Sequence, residues 1–224
     1  MPAKRRPAPT DPDTGESGRR KPGERDQLLR PDWRYVETFN MDDFRRDDWA
    51  VLNNQRDEYL RTELPRQVLG MLKASAHAPT FGYAINNFEH CLQTALLLYQ
   101  DDYDEETIVA GLLHDLGFIV CPHDHGSFAA SLLRPFLSEK NLWMLEHHEI
   151  FQRIHLHEYQ ESEDHEFVNA RERWRGHPYF DWTAKFVERY DIVAINPEIE
   201  SPPLEFFEPM VYRVLSHAQQ QRGQ

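Results

Sequence analysis

The sequence predicts an all-α protein, and three observations lead to this fold class. From about residue 42 onward, apolar residues recur three and four positions apart with few β-branched runs, a pattern typical of amphipathic helices. Residues that favour helix ends separate these stretches, for example Asp104, Gly117 and Ser138. With 224 residues, the chain is also long enough to bury the core of one domain.

The first 30 residues differ in composition from the rest. They contain eight basic and five acidic residues, five prolines, three glycines and hardly any large apolar side chains. Such a segment cannot bury enough apolar surface to fold. The sequence therefore predicts a disordered basic tail over 1–30 and one folded domain over 31–224.

Two helices are predicted before residue 75. Asp47 and Asp48 can cap the first of them. Pro65 suits the first turn of the second, where its missing N–H has no intrahelical partner. The apolar residues of these helices are Trp49, Leu52, Tyr59 and Leu60 in the first, and Val68, Leu69 and Leu72 in the second.

Six more helices are predicted downstream. Asp104 is a natural N-cap for one of them, and Gly117 is a natural stop at its end. Ser138 opens another, which carries apolar residues as far as Phe151. Five of the six run over about 88–99, 105–117, 138–151, 178–195 and 203–216, and the other begins at about residue 125.

Charge and cysteine content exclude several classes of function. The 38 acidic and 25 basic side chains give a net charge of −13, so we expect no duplex nucleic acid bound through a basic face. No apolar run approaches the roughly 18 residues of a transmembrane helix, so we expect a soluble protein without a membrane partner. The two cysteines, Cys91 and Cys121, are too few for a disulfide framework and favour a cytoplasmic location.

Histidine is concentrated in one part of the chain. Nine of the twelve histidines lie between residues 90 and 165. His114 and Asp115 are adjacent at the end of a predicted helix, where both side chains can reach a common point beyond that end. The imidazole can bind one metal ion, and the carboxylate, with two oxygens, can bridge two.

Further candidate ligands surround this pair in sequence. His90 lies 24 residues before His114, and His125 lies 11 residues after it. Each alone can be a cap, a core residue or a solvated charge. Together they form the ordered pattern H…HD…H…HH…D, which predicts a metal site whose remaining candidates are His147, His148 and Asp191.

Three segments resemble a known superfamily. They are GYAINNFEHCLQTALLLYQ (82–100), DEETIVAGLLHDLG (104–117) and HGSFAASLLRPFLSEKNLWMLEHHEIFQ (125–152). They resemble the HD-domain superfamily and, within it, the mixed-valent diiron oxygenases, namely myo-inositol oxygenase and the enzymes that cleave 1-hydroxyphosphonates. Ordinary HD phosphohydrolases generally lack a glutamine at the position of Gln93. The resemblance covers about 78–217 and implies a single HD-domain helical bundle with its metal-binding core at 78–195.

The resemblance also implies a ligand set and a cofactor. The cofactor would be two iron ions, Fe(II) and Fe(III), with divalent Mn, Co or Ni as alternatives. Asp115 would bridge the two ions, and Asp115, Gln93 and Tyr83 would be catalytic. The sequence register favours His148 over His147. The six implied metal ligands are His90, His114, Asp115, His125, His148 and Asp191.

The chain departs from both oxygenase branches at positions that contact substrate. Phe118, Gln152 and Glu188 stand where the phosphonate enzymes carry cationic or histidine side chains, and myo-inositol oxygenase has a lysine in the place of Phe118. Thr80 stands at the position of an iron-binding tyrosine, and Tyr83 at that of a substrate-sensing glutamate. The resemblance therefore implies the metal ligands of these oxygenases, but not the residues that bind either of their known substrates.

Three functions stay open at this point. The favoured one is a dioxygen-dependent oxygenase that abstracts hydrogen from, and cleaves, a small hydroxylated or aminated, acidic metabolite. The alternative is a divalent-metal-dependent phosphohydrolase acting on a nucleotide or small phosphoester, and the third is a metal that only holds the helices together. Candidate cations for the phosphohydrolase are Arg134, Lys140, Arg153 and Arg189.

Overall fold

A computed structural model of the chain describes residues 29–156 and 169–216. Residues 1–28 of the predicted tail, and His157 and His165, lie outside the described residues. The described residues form seven α-helices and no strand, which confirms the predicted all-α class. The helices are α1 (Arg46–Ala74), α2 (Asn87–Gln100), α3 (Glu105–Leu113), α4 (His125–Leu133), α5 (Glu139–Gln152), α6 (Phe180–Phe186) and α7 (Leu204–Ser216).

The chain divides into two compact units, Met1–Glu58 and Tyr59–Gln224. Within the first, the Gln55 side chain accepts a hydrogen bond from Arg34 N at 2.7 Å and donates one to Arg34 O at 3.0 Å. The second holds the hydrophobic core, in which α2 packs on α3, α4 on α5, and α5 on α6. None of the helices in the described parts of the chain is both long and apolar enough to cross a lipid bilayer.

Helix α1 continues through Pro65, so the prediction of two separate helices is wrong. A proline inside a helix costs about 3 kcal/mol, because it removes one hydrogen bond and crowds the preceding turn. Pro65 is buried on the same face as Val68, Leu69 and Leu72. Burial of these three side chains stabilises the helix by about 1.5–3 kcal/mol each, which more than offsets the proline.

The ends of α2 and α3 follow local capping chemistry. Asn86 and Glu89 form a capping box at the start of α2, and the Asp104 side chain accepts the Thr107 N–H at 2.8 Å at the start of α3. Helix α3 ends at Leu113, four residues before the predicted stop at Gly117. His114 and Asp115 therefore lie in the turn beyond the helix.

The predicted helix over 178–195 is also corrected. Helix α6 ends at Phe186, and a π-helical segment, Val187–Asp191, follows it. Its wider turn is closed by the Ile192 N–H, which donates to Val187 O five residues earlier. Such wide turns redirect side chains and occur often at functional sites. Asp191 is the last residue of this segment and is 1% exposed.

Candidate metal centre

Six buried side chains converge where five helical elements meet. Helix α2 contributes one of them, the end of α3 two, the start of α4 one, the middle of α5 one, and the π-helical segment one. All six belong to residue types that bind metal ions, and each is at most 9% exposed. They are His90, His114, Asp115, His125, His148 and Asp191, the same six that the resemblance implies.

One half of this cluster contains His90, His114 and Asp191. The Nε2 atoms of the two imidazoles are 3.1 Å apart. Asp191 Oδ1 lies 3.4 Å from His90 Nε2 and 3.7 Å from His114 Nε2. Two imidazole nitrogens and a carboxylate oxygen thus face one small volume, which matches the ligand types of a transition-metal ion.

The other half contains His125 and His148. Their Nε2 atoms are 3.2 Å apart, and Asp115 Oδ1 lies 3.0 Å from the first and 3.3 Å from the second. The same carboxylate also faces the first half, where Oδ2 lies 3.7 Å from His90 Nε2 and Oδ1 lies 3.5 Å from His114 Nε2. The carboxylate of Asp115 therefore lies between the two halves, as a bridge between two ions requires.

Backbone carbonyls fix the tautomer of three imidazoles. The Nδ1 atoms of His90, His114 and His148 lie 2.9, 2.7 and 2.8 Å from the carbonyl oxygens of Ala194, Gly111 and Leu145, respectively. A carbonyl only accepts, so each Nδ1 carries the hydrogen and each Nε2 presents a lone pair to the cluster. If both imidazoles were neutral, the Nε2 lone pairs of His90 and His114 would face each other at 3.1 Å and repel. A proton or a metal ion between the two nitrogens removes this repulsion.

Electrostatics point to the same requirement. Burial lowers the pKa of His90, but the Asp191 and Asp115 carboxylates outweigh it and raise this pKa to about 9. Burial likewise lowers the pKa of His148, and the Asp115 carboxylate raises it to about 9. Burial raises the pKa of both carboxyl groups, yet the facing imidazoles hold these pKa values well below the usual range. The buried carboxylates stay ionised and attract cations.

A set of polar side chains holds the ligands in place, and sequence reasoning did not assign it this role. Gln152 Nε2 donates to Asp191 Oδ2 at 2.7 Å, which leaves Oδ1 facing the imidazoles. Glu149 Oε1 accepts the Gly126 N–H at 3.0 Å and lies 3.3 Å from His125 Nδ1. Such contacts orient metal ligands and tune their affinity. The available signal was spacing, because Gln152 lies one helical turn after His148.

A cavity of about 470 Å³ opens onto the cluster. Tyr83, a predicted catalytic residue, lines it and is exposed, and Thr80 and Phe118 line it as well. Predicted catalytic Gln93 lies elsewhere, with its amide donating to the carbonyl oxygens of Asn196 and Ile199 at 2.8 and 3.3 Å. The remaining lining residues are Phe81, Ile85, Asn86, Asn87, His90, Asp115, His125, Gln152, His155, Leu156, Asp191, Ile192 and Ile195.

The two adjacent histidines of α5 have different surroundings. His148 is fully buried in the cluster, as the preceding distances show. His147 instead stacks on Trp143 at 4.1 Å between ring centroids, and its Nδ1 lies 2.9 Å from Trp143 O. The geometry thus places His148, not its neighbour, among the six cluster residues.

Comparison with known proteins gives a coarse assignment. A search of curated proteins found no match to the chain. A scan of protein-family models found one that matches part of the chain. The matched range contains five of the six cluster residues, and Asp191 lies after its end. The matching model is that of the HD domain, and it covers residues 87–175 of the 224.

Proposed function

We propose that the protein is a dioxygen-dependent mixed-valent diiron oxygenase that cleaves a small hydroxylated or aminated, acidic metabolite. The observation that carries this proposal is the buried cluster in which the Asp115 carboxylate lies within 3.7 Å of imidazole nitrogens of both halves. His90, His114 and Asp191 would hold one iron, His125 and His148 the other, and Asp115 both. The choice of the oxygenase branch rests on the resemblance of the segments around Gln93 and His114.

The bound iron pair would supply Lewis acidity and one-electron chemistry with dioxygen. Three backbone carbonyls keep the imidazole Nε2 lone pairs aimed at the metal positions. Gln152 holds Asp191 in a fixed orientation. With two carboxylates against an Fe(II)/Fe(III) pair, the centre keeps a charge of about +3, which favours an acidic substrate. Phe81, Phe118 and Ile195 make part of the cavity lining apolar.

The cavity lining favours the oxygenase over phosphoester hydrolysis. Its described residues include aliphatic and aromatic side chains, amides and hydroxyls, but no lysine or arginine. Three of the four candidate cations have partners elsewhere. Arg134 pairs with Glu146, Lys140 lies over the Trp182 ring at 4.8 Å, and Arg189 is 3.4 Å from Asp101. A phosphoryl group, which carries up to two negative charges, would depend on the metal ions alone for charge compensation, whereas a carboxylate carries a single charge and needs less compensation.

A phosphohydrolase is the second candidate, because two divalent ions bridged by Asp115 can also generate a hydroxide for phosphoester cleavage. A direct test measures both activities on the same preparations. Iron-loaded protein is screened for dioxygen uptake with hydroxy acids, aminoalcohols and polyols, and Mn-loaded protein for phosphate release from nucleotides and small phosphoesters. Dioxygen uptake tied to substrate loss is expected. Phosphate release without dioxygen uptake would overturn the proposal.

A ligand variant separates catalysis from a purely structural metal. Asp115→Asn removes the bridging charge while keeping the size of the side chain. We expect a helical circular dichroism spectrum like that of the unmodified protein, together with loss of turnover. Unfolding of this variant at room temperature, with turnover absent from the unmodified protein as well, would favour the structural role.

A further inference from the structure

A second cavity of about 350 Å³ adjoins the first. Phe81, Asn87 and Asp115 line both cavities. The second one runs along the end of α1 and the turn after α3. Its walls are mainly apolar and include Met71, Leu72, Pro79, Leu116, Ile119 and Val120. We call this second cavity the apolar groove.

Apolar contacts connect the groove to the metal centre. The Phe118 ring lies 5.7 Å from the His125 ring and 6.0 Å from the Phe81 ring, measured between centroids. Phe81 in turn lines the groove together with Ile119. An apolar surface thus extends from a ligand histidine to the outside of the molecule.

The turn that carries Phe81 holds it at this junction. Phe81 has a φ of 54° and Gly82 a φ of 103°, and Tyr83 N donates to Thr80 O at 3.0 Å. A left-handed conformation is unfavourable for a phenylalanine. The Phe81 side chain is 61% exposed, so burial of its ring in the core does not compensate for this conformation.

We infer that the apolar groove binds the aliphatic chain of the substrate, while the polar head group lies at the metal centre. This inference rests on the proposed function, which supplies the head group. A chain that passes from the metal-facing cavity over Phe81 would cover Ile119 and Val120, which are 50% and 66% exposed. The substrate class is therefore a hydroxylated or aminated acid with a hydrocarbon chain.

The test uses a homologous series of ligands. Straight-chain 2-hydroxy acids of three, six, eight and ten carbons are titrated by calorimetry into protein loaded with redox-inert Zn²⁺. Each methylene that enters the groove is expected to lower Kd about fourfold. Between six and ten carbons, four methylenes in the groove amount to a gain of about 250-fold.

A variant pair makes the test specific. Ile119→Glu places a charge in the groove, and Leu60→Glu is the matched control, since Leu60 is 44% exposed on α1 away from both cavities. The readout is the ratio of Kd values for the six-carbon and ten-carbon acids within one variant, so a general change in metal affinity cancels. Ile119→Glu is expected to bring this ratio close to one, and Leu60→Glu to leave it as in the unmodified protein.

Two outcomes overturn the inference. One is a Kd independent of chain length. The other is a dependence of Kd on chain length that persists in Ile119→Glu. If light scattering then shows that this substitution dissociates a dimer, the groove is a contact between copies of the chain.

A separate measurement distinguishes an error in the proposed head group from an error in the groove. If no hydroxy acid binds, 1-octanol is added and the amide NMR signals of Ile119 and Val120 are followed. Shifts at these residues support the groove and count against the proposed function, whereas unchanged signals overturn the groove itself.

Discussion

Replacing Gly126 with alanine tests whether the close approach of α4 and α5 holds one half of the candidate metal centre together. A Cβ at this position would overlap the Leu145 carbonyl oxygen and lie 3.2 Å from His148 Cε1. To reach an ordinary carbon–oxygen contact of about 3.3 Å, α4 has to move by on the order of 1 Å. Metal–ligand distances tolerate only about 0.2 Å.

Two effects are therefore expected for Gly126→Ala. Overpacking costs about 1–3 kcal/mol, which for a chain of this size lowers Tm by about 2–12 °C. The displacement of His125 relative to His148 also weakens metal binding in their half of the cluster by about 10–100-fold. Thermal unfolding of the metal-free protein measures the first effect, and metal titration with a competing chelator measures the second.

Gly70→Ala is the matched control. Gly70 lies on the exposed side of α1, and a Cβ there would meet nothing within 4 Å. The control is expected to stabilise the protein by about 0.5–1 kcal/mol, because alanine favours a helix more than glycine does. The reasoning is refuted if Gly126→Ala unfolds at the same temperature as the unmodified protein and binds metal with the same affinity.

Three further predictions concern the ligands and their support. Gln152→Leu removes the hydrogen bond to Asp191 and is expected to lower metal affinity about 10–100-fold in chelator competition, with little change in Tm of the metal-free protein; unchanged affinity would show that Gln152 does not position Asp191. His147→Ala is expected to retain metal at full stoichiometry in elemental analysis whereas His148→Ala loses part of it, and the reverse result would exchange their assignments. In metal-free protein the free energy of unfolding should fall as pH rises from about 6.5 to about 9, because His90 and His148 have folded pKa values of about 9, above the unfolded value, and so stabilise only while protonated. Added Zn²⁺ should stabilise more at the higher pH, since it binds neutral imidazole, and urea titrations at several pH values that show the opposite slopes would contradict this assignment.

The sequence carried much of the information about the metal ligands and the helices. Local signals, such as the Asn86 and Asp104 caps and the apolar periodicity, act within one turn and can be read without tertiary contacts. The candidate ligands could be gathered because the HD motif and its neighbouring histidines resemble a known superfamily. Tertiary geometry then explains why these residues, far apart in sequence, meet at one point.

The features that escaped prediction depend on tertiary packing. Pro65 lies inside α1 because burial of its face outweighs the lost hydrogen bond. The π-helical segment that ends at Asp191 has no marker in its residue types, because its wide turn is closed by backbone groups that every residue carries. The spacing of Gln152 after His148 indicates that its side chain lies near the cluster, but it does not identify the acceptor, Asp191, which lies 39 residues away.

The most direct test of the central claim is the metal content of the purified protein together with its electron paramagnetic resonance spectrum. Protein produced in iron-rich medium and partly reduced is predicted to contain two irons per chain and to show the signal of a coupled Fe(II)/Fe(III) pair, which substrate addition changes. Asp115→Asn should abolish this signal. Manganese, cobalt or nickel at the site, or an iron pair that never reaches the mixed-valent state, would contradict the oxygenase and favour phosphoester hydrolysis.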